Sequence, residues 1–147
     1  MTTIKRTFVS WNGLIRLVLT AAGSLMIDDL FDLIGGNRTI RAATECFYDK
    51  VLADDSLRHF FKRTDMAHLR ARQRMFISML LGGPAAYTGK DVHEAHAWAR
   101  NHGLHDTHFD LFLNHFREAL EEVGVNSDEA KKVIKLLEGR RHAVLNP

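Results

Sequence analysis

Two histidines, His93 and His96, are the residues of this sequence best suited to chemistry. They follow a Gly-Gly-Pro segment at residues 82–84 and a Tyr-Thr-Gly segment at residues 87–89. A neutral imidazole is a common ligand of transition metals, so either ring could hold a metal ion. Their spacing alone does not decide this, because two histidines three residues apart also share one exposed face of an ordinary helix.

The other candidate metal ligands are less well arranged. His102, His105 and His108 could be taken for a zinc site, but three-residue spacing across a capped loop does not set up a closed tetrahedral site. The single cysteine, Cys46, excludes an internal disulfide and fits a reducing compartment, which predicts a cytoplasmic protein. We expect Cys46 itself to be a small buried apolar residue.

Composition points to one soluble globular domain. The chain has 147 residues, of which 46% are hydrophobic and 26% are charged. A net charge of +2 is too small to indicate nucleic acid or an anionic membrane as a partner. No predicted helix carries the concentrated basic face expected of a DNA-binding domain.

Residues 1–27 differ from the rest, because they contain no acidic residue but include Lys5, Arg6 and Arg16. The 3,4 spacing of their apolar residues predicts an amphipathic helix, formed around Phe8, Trp11, Ile15, Val18, Ala22 and Leu25. We expect this helix to pack or self-associate; contact with a membrane surface and a cleaved signal are the alternatives. We therefore divide the chain into an N-terminal helical extension, residues 1–27, and a main domain, residues 28–147.

Apolar periodicity and capping signals predict helices throughout the main domain. We expect a helix over residues 38–53 with Asn37 as N-cap, a turn over 57–61, and a helix capped by Thr64-Asp65 that runs to about residue 81. A short helix carries His93 and His96, a long one covers residues 106–123, and Asn126-Ser127 caps the last. No alternating strand pattern is present, so the fold class is all-α.

Several short segments together indicate a family. They are Leu33–Gly36, Phe47–Asp54, Leu57 to Phe61, Thr64–Met66, Gln73, the Gly-Gly-Pro and Tyr-Thr-Gly segments, His96, His108–Asp110 and Gly124-Val125. In these residues and in their order, positions 30 to about 145 resemble a group I truncated haemoglobin, a small globin built as two helices over two. One departure is the segment Trp98–Gly103, which lengthens the loop after His96 relative to short family members.

The resemblance implies a haem b cofactor whose iron has His96 as its proximal ligand. It places Val92 against the haem face one turn earlier, and it leaves His93 facing a propionate or solvent. On the distal side it implies that Tyr48 and Gln73 donate hydrogen bonds to bound dioxygen. Leu69 stands where many globins keep a distal histidine, so we expect no distal histidine to stabilise oxygen.

The remaining haem contacts rest on the resemblance alone. We expect Phe61 to wedge the haem, Phe47 to lie behind Tyr48, and Arg72 and Tyr87 to meet the propionates. Leu104 and Phe109 would close the proximal side, and Met66 and Ala95 complete the predicted cofactor contacts. His68 is expected to be exposed.

The function implied is reversible binding of dioxygen, carbon monoxide or nitric oxide at five-coordinate or weakly six-coordinate iron, by a monomer or a dimer. Oxidation of nitric oxide to nitrate would follow if a reductase restores ferrous iron. One alternative is a haem-based sensor or electron-transfer protein with an internal sixth ligand such as Tyr48 or His68. Another is a haem-free helical interaction module.

Overall fold

A computed structural model describes the backbone at residues 7–9, 16–19 and 25–27, and the chain at residues 30–85, 87 and 90–147. The helices are α1 (Leu30–Leu33), α2 (Gly36–Ala53), α3 (Met66–Leu80), α4 (Val92–Ala95), α5 (Ala97–Asn101), α6 (Asp106–Glu122), α7 (Ser127–Glu138) and α8 (Arg141–Leu145), with a 3₁₀ turn at Arg58–Phe61. The predicted all-α class is confirmed for the described residues from 30 onward. No helix in the described part of the chain is both long and apolar enough to cross a bilayer.

The prediction of an additional N-terminal helix is wrong for the described residues before residue 28. Three antiparallel strands lie there in the order β1 (Thr7–Val9), β2 (Arg16–Leu19) and β3 (Leu25–Ile27). Their register pairs Phe8 with Leu17 and Val18 with Met26. Valine, isoleucine, threonine and phenylalanine favour strands, and the glycines in the intervening sequence disfavour one continuous helix. Trp11, Ile15 and Ala22, on which the helical spacing also depended, lie outside the described residues.

Several helix boundaries follow local signals, but the short helix that was predicted to carry both His93 and His96 ends at Ala95, one residue before His96. The side chain of Asp65 accepts a hydrogen bond from the backbone nitrogen of His68, and that of Asn126 accepts one from Asp128, as their capping roles predict. Asn37 is not a cap, because α2 already begins at Gly36 after Gly35. Both of these glycines have positive φ, which lets the chain turn directly from α1 into α2.

Two helix pairs form the body of the domain. Helix α2 packs against α3 and α6, and α6 packs against α7. Their shared core contains the fully buried side chains Ile40, Val51, Leu57, Ile77, Leu81, Leu120 and Val133. The main packing partner of α3 is α2, whereas that of α4 is α8. The predicted distal and proximal residues are therefore held by different parts of the core.

Candidate ligand-binding site

The predicted proximal residue, His96, follows directly on the last residue of α4. Its Nδ1 atom lies 2.7 Å from the carbonyl oxygen of Val92. A carbonyl can only accept, so Nδ1 carries the hydrogen and the lone pair of Nε2 is left for a metal. Burial lowers the pKa of His96, a hydrogen bond to Val92 opposes that shift, and the charge of Arg100 adds to it. The lowered pKa favours the neutral ring, which is the form that binds a metal.

Helix α4 places the other nearby candidate ligand, His93, in a different environment from His96. Asp91 caps the helix by accepting hydrogen bonds from the backbone nitrogens of His93 (2.6 Å) and Glu94 (3.4 Å). The side chain of His93 is exposed, while His96 is half-buried and Val92 packs against the hydrophobic core. Ala95 is exposed. Helix α4 thus turns His96 and Val92 towards the protein and His93 away from it.

Tyr48, the predicted distal donor, lies on α2 and is 4% exposed. Burial raises the pKa of Tyr48, and the positive charge of Arg70 partly opposes the shift. The phenol therefore stays protonated and remains a hydrogen-bond donor. Its ring centroid lies 4.8 Å from that of Phe47 and 6.1 Å from that of Phe61, both in edge-on geometry.

Helix α3 presents a second face to the site. Leu69, Gln73 and Phe76 are half-buried and fall at positions i, i+4 and i+7 of the helix, so they share one side of it. Arg70 and Arg74, on a neighbouring side, reach Glu45 of α2 with N–O distances of 2.5 and 3.4 Å. These ion pairs hold α3 against α2 and do not involve Gln73. His68 is exposed, as predicted, while Arg72 and Met66 are half-buried.

Aromatic side chains connect these elements. Phe47 contacts Phe116 at 5.3 Å between ring centroids, and Phe61 contacts Phe112 at 6.1 Å. Phe76 packs edge-on against Tyr87 at 5.5 Å. The Tyr87 hydroxyl donates to the carbonyl oxygen of Lys90 at 2.9 Å. In this structure its hydrogen is therefore bonded within the protein and not available to a haem propionate.

The predicted proximal contacts Leu104 and Phe109 are both buried. The guanidinium of Arg141 lies 4.6 Å from the ring centroid of Phe109 and is paired with Asp106, Asp110 and Glu138. Leu104 also lines an open cleft of about 280 Å³ between the start of α6 and α8. The sequence did not predict a role at the site for Arg100 or Arg141, because a single arginine outside any motif gives no signal.

A metal that is held mainly by its own macrocycle needs few ligands from the protein. Among the described residues, no group of three histidine, cysteine or acidic side chains is placed to hold a metal ion. The zinc-like reading of His102, His105 and His108 therefore finds no support, and Nδ1 of His108 instead accepts from the backbone nitrogen of His105 at 3.2 Å. The structure offers a half-buried imidazole at His96, a buried phenol at Tyr48 and half-buried apolar side chains at Leu69, Phe76 and Val92, which are residue types that an iron porphyrin site uses.

Comparison with known proteins shows which family the chain resembles. The sequence model of the family described as bacterial-like globin matches residues 29–146. A group 1 truncated haemoglobin of Tetrahymena pyriformis is 39% identical over 116 residues, which are 79% of this chain and 93% of that protein. A second, from Synechocystis, is 39% identical over 100 residues, covering 67% of this chain and 81% of that protein.

Solved structures show the same similarity. The Fe(III) form of the Tetrahymena pyriformis truncated haemoglobin superposes with a TM-score of 0.76 at 38% identity, covering 80% of this chain and 98% of that one. The 2/2 haemoglobin of Synechococcus, in the cyanomet state with covalently attached haem, gives 0.76 at 34% identity and covers 81% and 99%. This chain therefore belongs to the bacterial-like globin family, among the group 1 truncated haemoglobins, which bind haem and through it diatomic gases.

Proposed function

We propose that this protein binds dioxygen at a haem iron held by His96, with Tyr48 and Gln73 as the donors that retain the ligand. We further propose that its turnover is the oxidation of nitric oxide to nitrate. When bound, haem would supply a reducible iron at which dioxygen could react with nitric oxide to give nitrate, and a reductase would have to supply one electron for each turnover.

The observation that carries the proposal is the hydrogen bond from His96 Nδ1 to the Val92 carbonyl oxygen. An acceptor on the second ring nitrogen sets the tautomer, orients the ring and makes Nε2 more basic. The low pKa of His96 adds to this, because a proton does not compete for Nε2 near neutral pH. Val92, which accepts this bond through its backbone, also packs against the core and can meet the haem face through its side chain.

The distal side supports retention of a polar ligand. A diatomic ligand that gains partial negative charge at the haem would be held by hydrogen-bond donors. A phenol that burial keeps protonated donates more strongly in such a pocket than in water. Gln73 offers a second donor from α3, whereas Leu69, one turn earlier, offers none. Such donors slow the release of dioxygen and disfavour its loss as superoxide.

The alternatives from the sequence receive less support. A sensor with an internal sixth ligand would need Tyr48 or His68 on the iron. His68 is exposed, and the raised pKa of Tyr48 opposes the phenolate form that binds ferric iron. The haem-free interaction module is not retained, because the group 1 truncated haemoglobins to which the chain belongs are haem proteins.

The visible absorption spectrum of the purified protein tests the proposal: as isolated, after dithionite and after carbon monoxide. We expect a Soret band that sharpens and shifts with carbon monoxide. His96→Ala should lose haem. His93→Ala, which removes the exposed histidine of α4, should keep it. A normal spectrum for His96→Ala would contradict the proposed ligand. Oxygen-bound protein mixed with nitric oxide should yield nitrate in equal amount, and failure to do so would refute the turnover.

A further inference from the structure

We propose that Arg100 is a positioning residue for the proximal ligand, tying α4 to α8 and thereby setting the orientation of the His96 imidazole. This inference rests on the proposed role of His96 as the iron ligand. It assigns a function to the lengthened segment after His96, for which the sequence suggested none.

A single guanidinium nitrogen makes the connection. Nη1 of Arg100 donates to the carbonyl oxygen of His93 at 2.7 Å and to that of Val144 at 3.0 Å. This nitrogen has two hydrogens, so one atom serves both carbonyls. His93 belongs to α4 and Val144, which is buried, belongs to α8. Because the donor is charged, these bonds are stronger than those between neutral groups.

Helix α4 depends on such support because it has only four residues. A helix this short does not persist through its own hydrogen bonds, so packing and side-chain contacts decide its position. Asp91 holds its first turn, and α8 is its main packing partner. The Arg100 bonds connect these two helices and so hold α4 at His93 against α8 at Val144.

Backbone hydrogen bonds transmit the position of α4 to the His96 imidazole. The His96 ring is bonded to the carbonyl of Val92, within α4, so the ring turns with that helix. The backbone nitrogen of Arg100 also donates to the carbonyl of His96 at 3.0 Å. One residue therefore bonds the backbone at His93, at His96 and at Val144. A solvated surface arginine would not be half-buried with its side chain bonded to two backbone carbonyls of different helices.

Two variants test the inference, Arg100→Met and Arg100→Gln. Methionine removes every donor, and the shorter glutamine amide does not reach both carbonyls. Arg140→Met is the matched control, because it removes the same charge from an exposed position next to α8. The measurements are amide hydrogen exchange of α4, the iron–histidine stretching band in the resonance Raman spectrum of the ferrous protein, and the rate of haem transfer to an acceptor globin.

We expect both Arg100 variants to exchange the α4 amides faster, to shift or broaden the iron–histidine band, and to lose haem about fivefold faster or more. The Arg140 variant should match the wild type in all three. If Arg100→Met does not fold, Arg100→Gln, which stays polar, carries the test. If both Arg100 variants showed the wild-type iron–histidine band and the wild-type rate of amide hydrogen exchange in α4, the inference would be overturned. If His96→Ala retained the band, the proposed ligand itself would be wrong, so the two failures are distinguishable.

Discussion

Arg70 of α3 lies over the ring of Tyr48 on α2, with 5.5 Å between the guanidinium carbon and the ring centroid. The same guanidinium reaches Glu45 at 2.5 Å and Asp49 at 3.2 Å, the two carboxylates that flank Tyr48 in sequence. The helix that carries Gln73 is thus clamped to the helix that carries Tyr48 at the level of the phenol. The relative position of the two proposed donors depends on this clamp.

Arg70→Met should loosen α3 against α2 and so disturb the distal pair without touching His96. We expect dioxygen to dissociate several-fold faster while haem is retained, with a loss of about 1 kcal/mol in the free energy of unfolding. Stopped-flow release of dioxygen and urea denaturation measure the two effects. Arg117→Met, which removes an exposed ion pair to Glu121 on α6, is the control. Equal release rates in the two variants would show that the clamp does not act on the ligand.

Tyr48→Phe should speed the release of dioxygen about tenfold, which corresponds to about 1.4 kcal/mol for one lost hydrogen bond in a buried site. The control is Arg117→Met, which removes an ion pair to Glu121 on α6 and leaves Tyr48 in place. It should leave the release rate near that of the wild type. An unchanged rate in Tyr48→Phe would remove the phenol from ligand retention.

The stability of the fold should fall in acid partly through His108. Burial lowers the pKa of His108 below its ordinary 6.5, and the nearby His105 and His59 add to the shift. The unfolded chain therefore takes up the proton at a higher pH than the folded one, so stability is lost as pH falls below about 6.5. Protonation also removes Nδ1 as the acceptor for the backbone nitrogen of His105.

His108→Asn keeps an acceptor at the start of α6 but does not titrate, so it should reduce this dependence on pH. Urea denaturation of wild type and variant above and below pH 6.5 measures the difference. We expect the midpoint of the variant to fall less in acid. Parallel curves for the two proteins would mean that His108 contributes nothing to acid sensitivity.

Deletion of residues 1–27 should leave the haem spectrum and the helical circular dichroism intact. The described core extends from Phe31 to Val144, and the family match begins at residue 29. A domain with its own core folds without an adjoining segment. A collapsed Soret band in the deletion variant would instead make the N-terminal strands part of the globin fold. Size-exclusion chromatography of both forms would show whether the segment mediates dimerisation.

Local sequence accounts for much of what positions the site. The caps Asp65 and Asn126, the glycines at 82 and 124, and helical apolar spacing act over a few residues, so α3, α6 and α7 could be predicted from the chain alone. His96 and Tyr48 could be singled out only because the surrounding segments resemble a family. The N-terminal prediction failed because apolar residues spaced for a helix also fit short strands, whose formation depends on pairing with neighbouring strands.

By itself the sequence determined the all-α class of the described residues from 30 onward, the approximate limits of α3, α6 and α7, and the family, because each depends on neighbouring residues or on the order of motifs. Only the tertiary structure decided which charged side chains support the site. Arg70 meets Glu45 from 25 residues away, and Arg100 meets Val144 across 44. No local pattern encodes such pairs, since their partners come together only after the helices have packed.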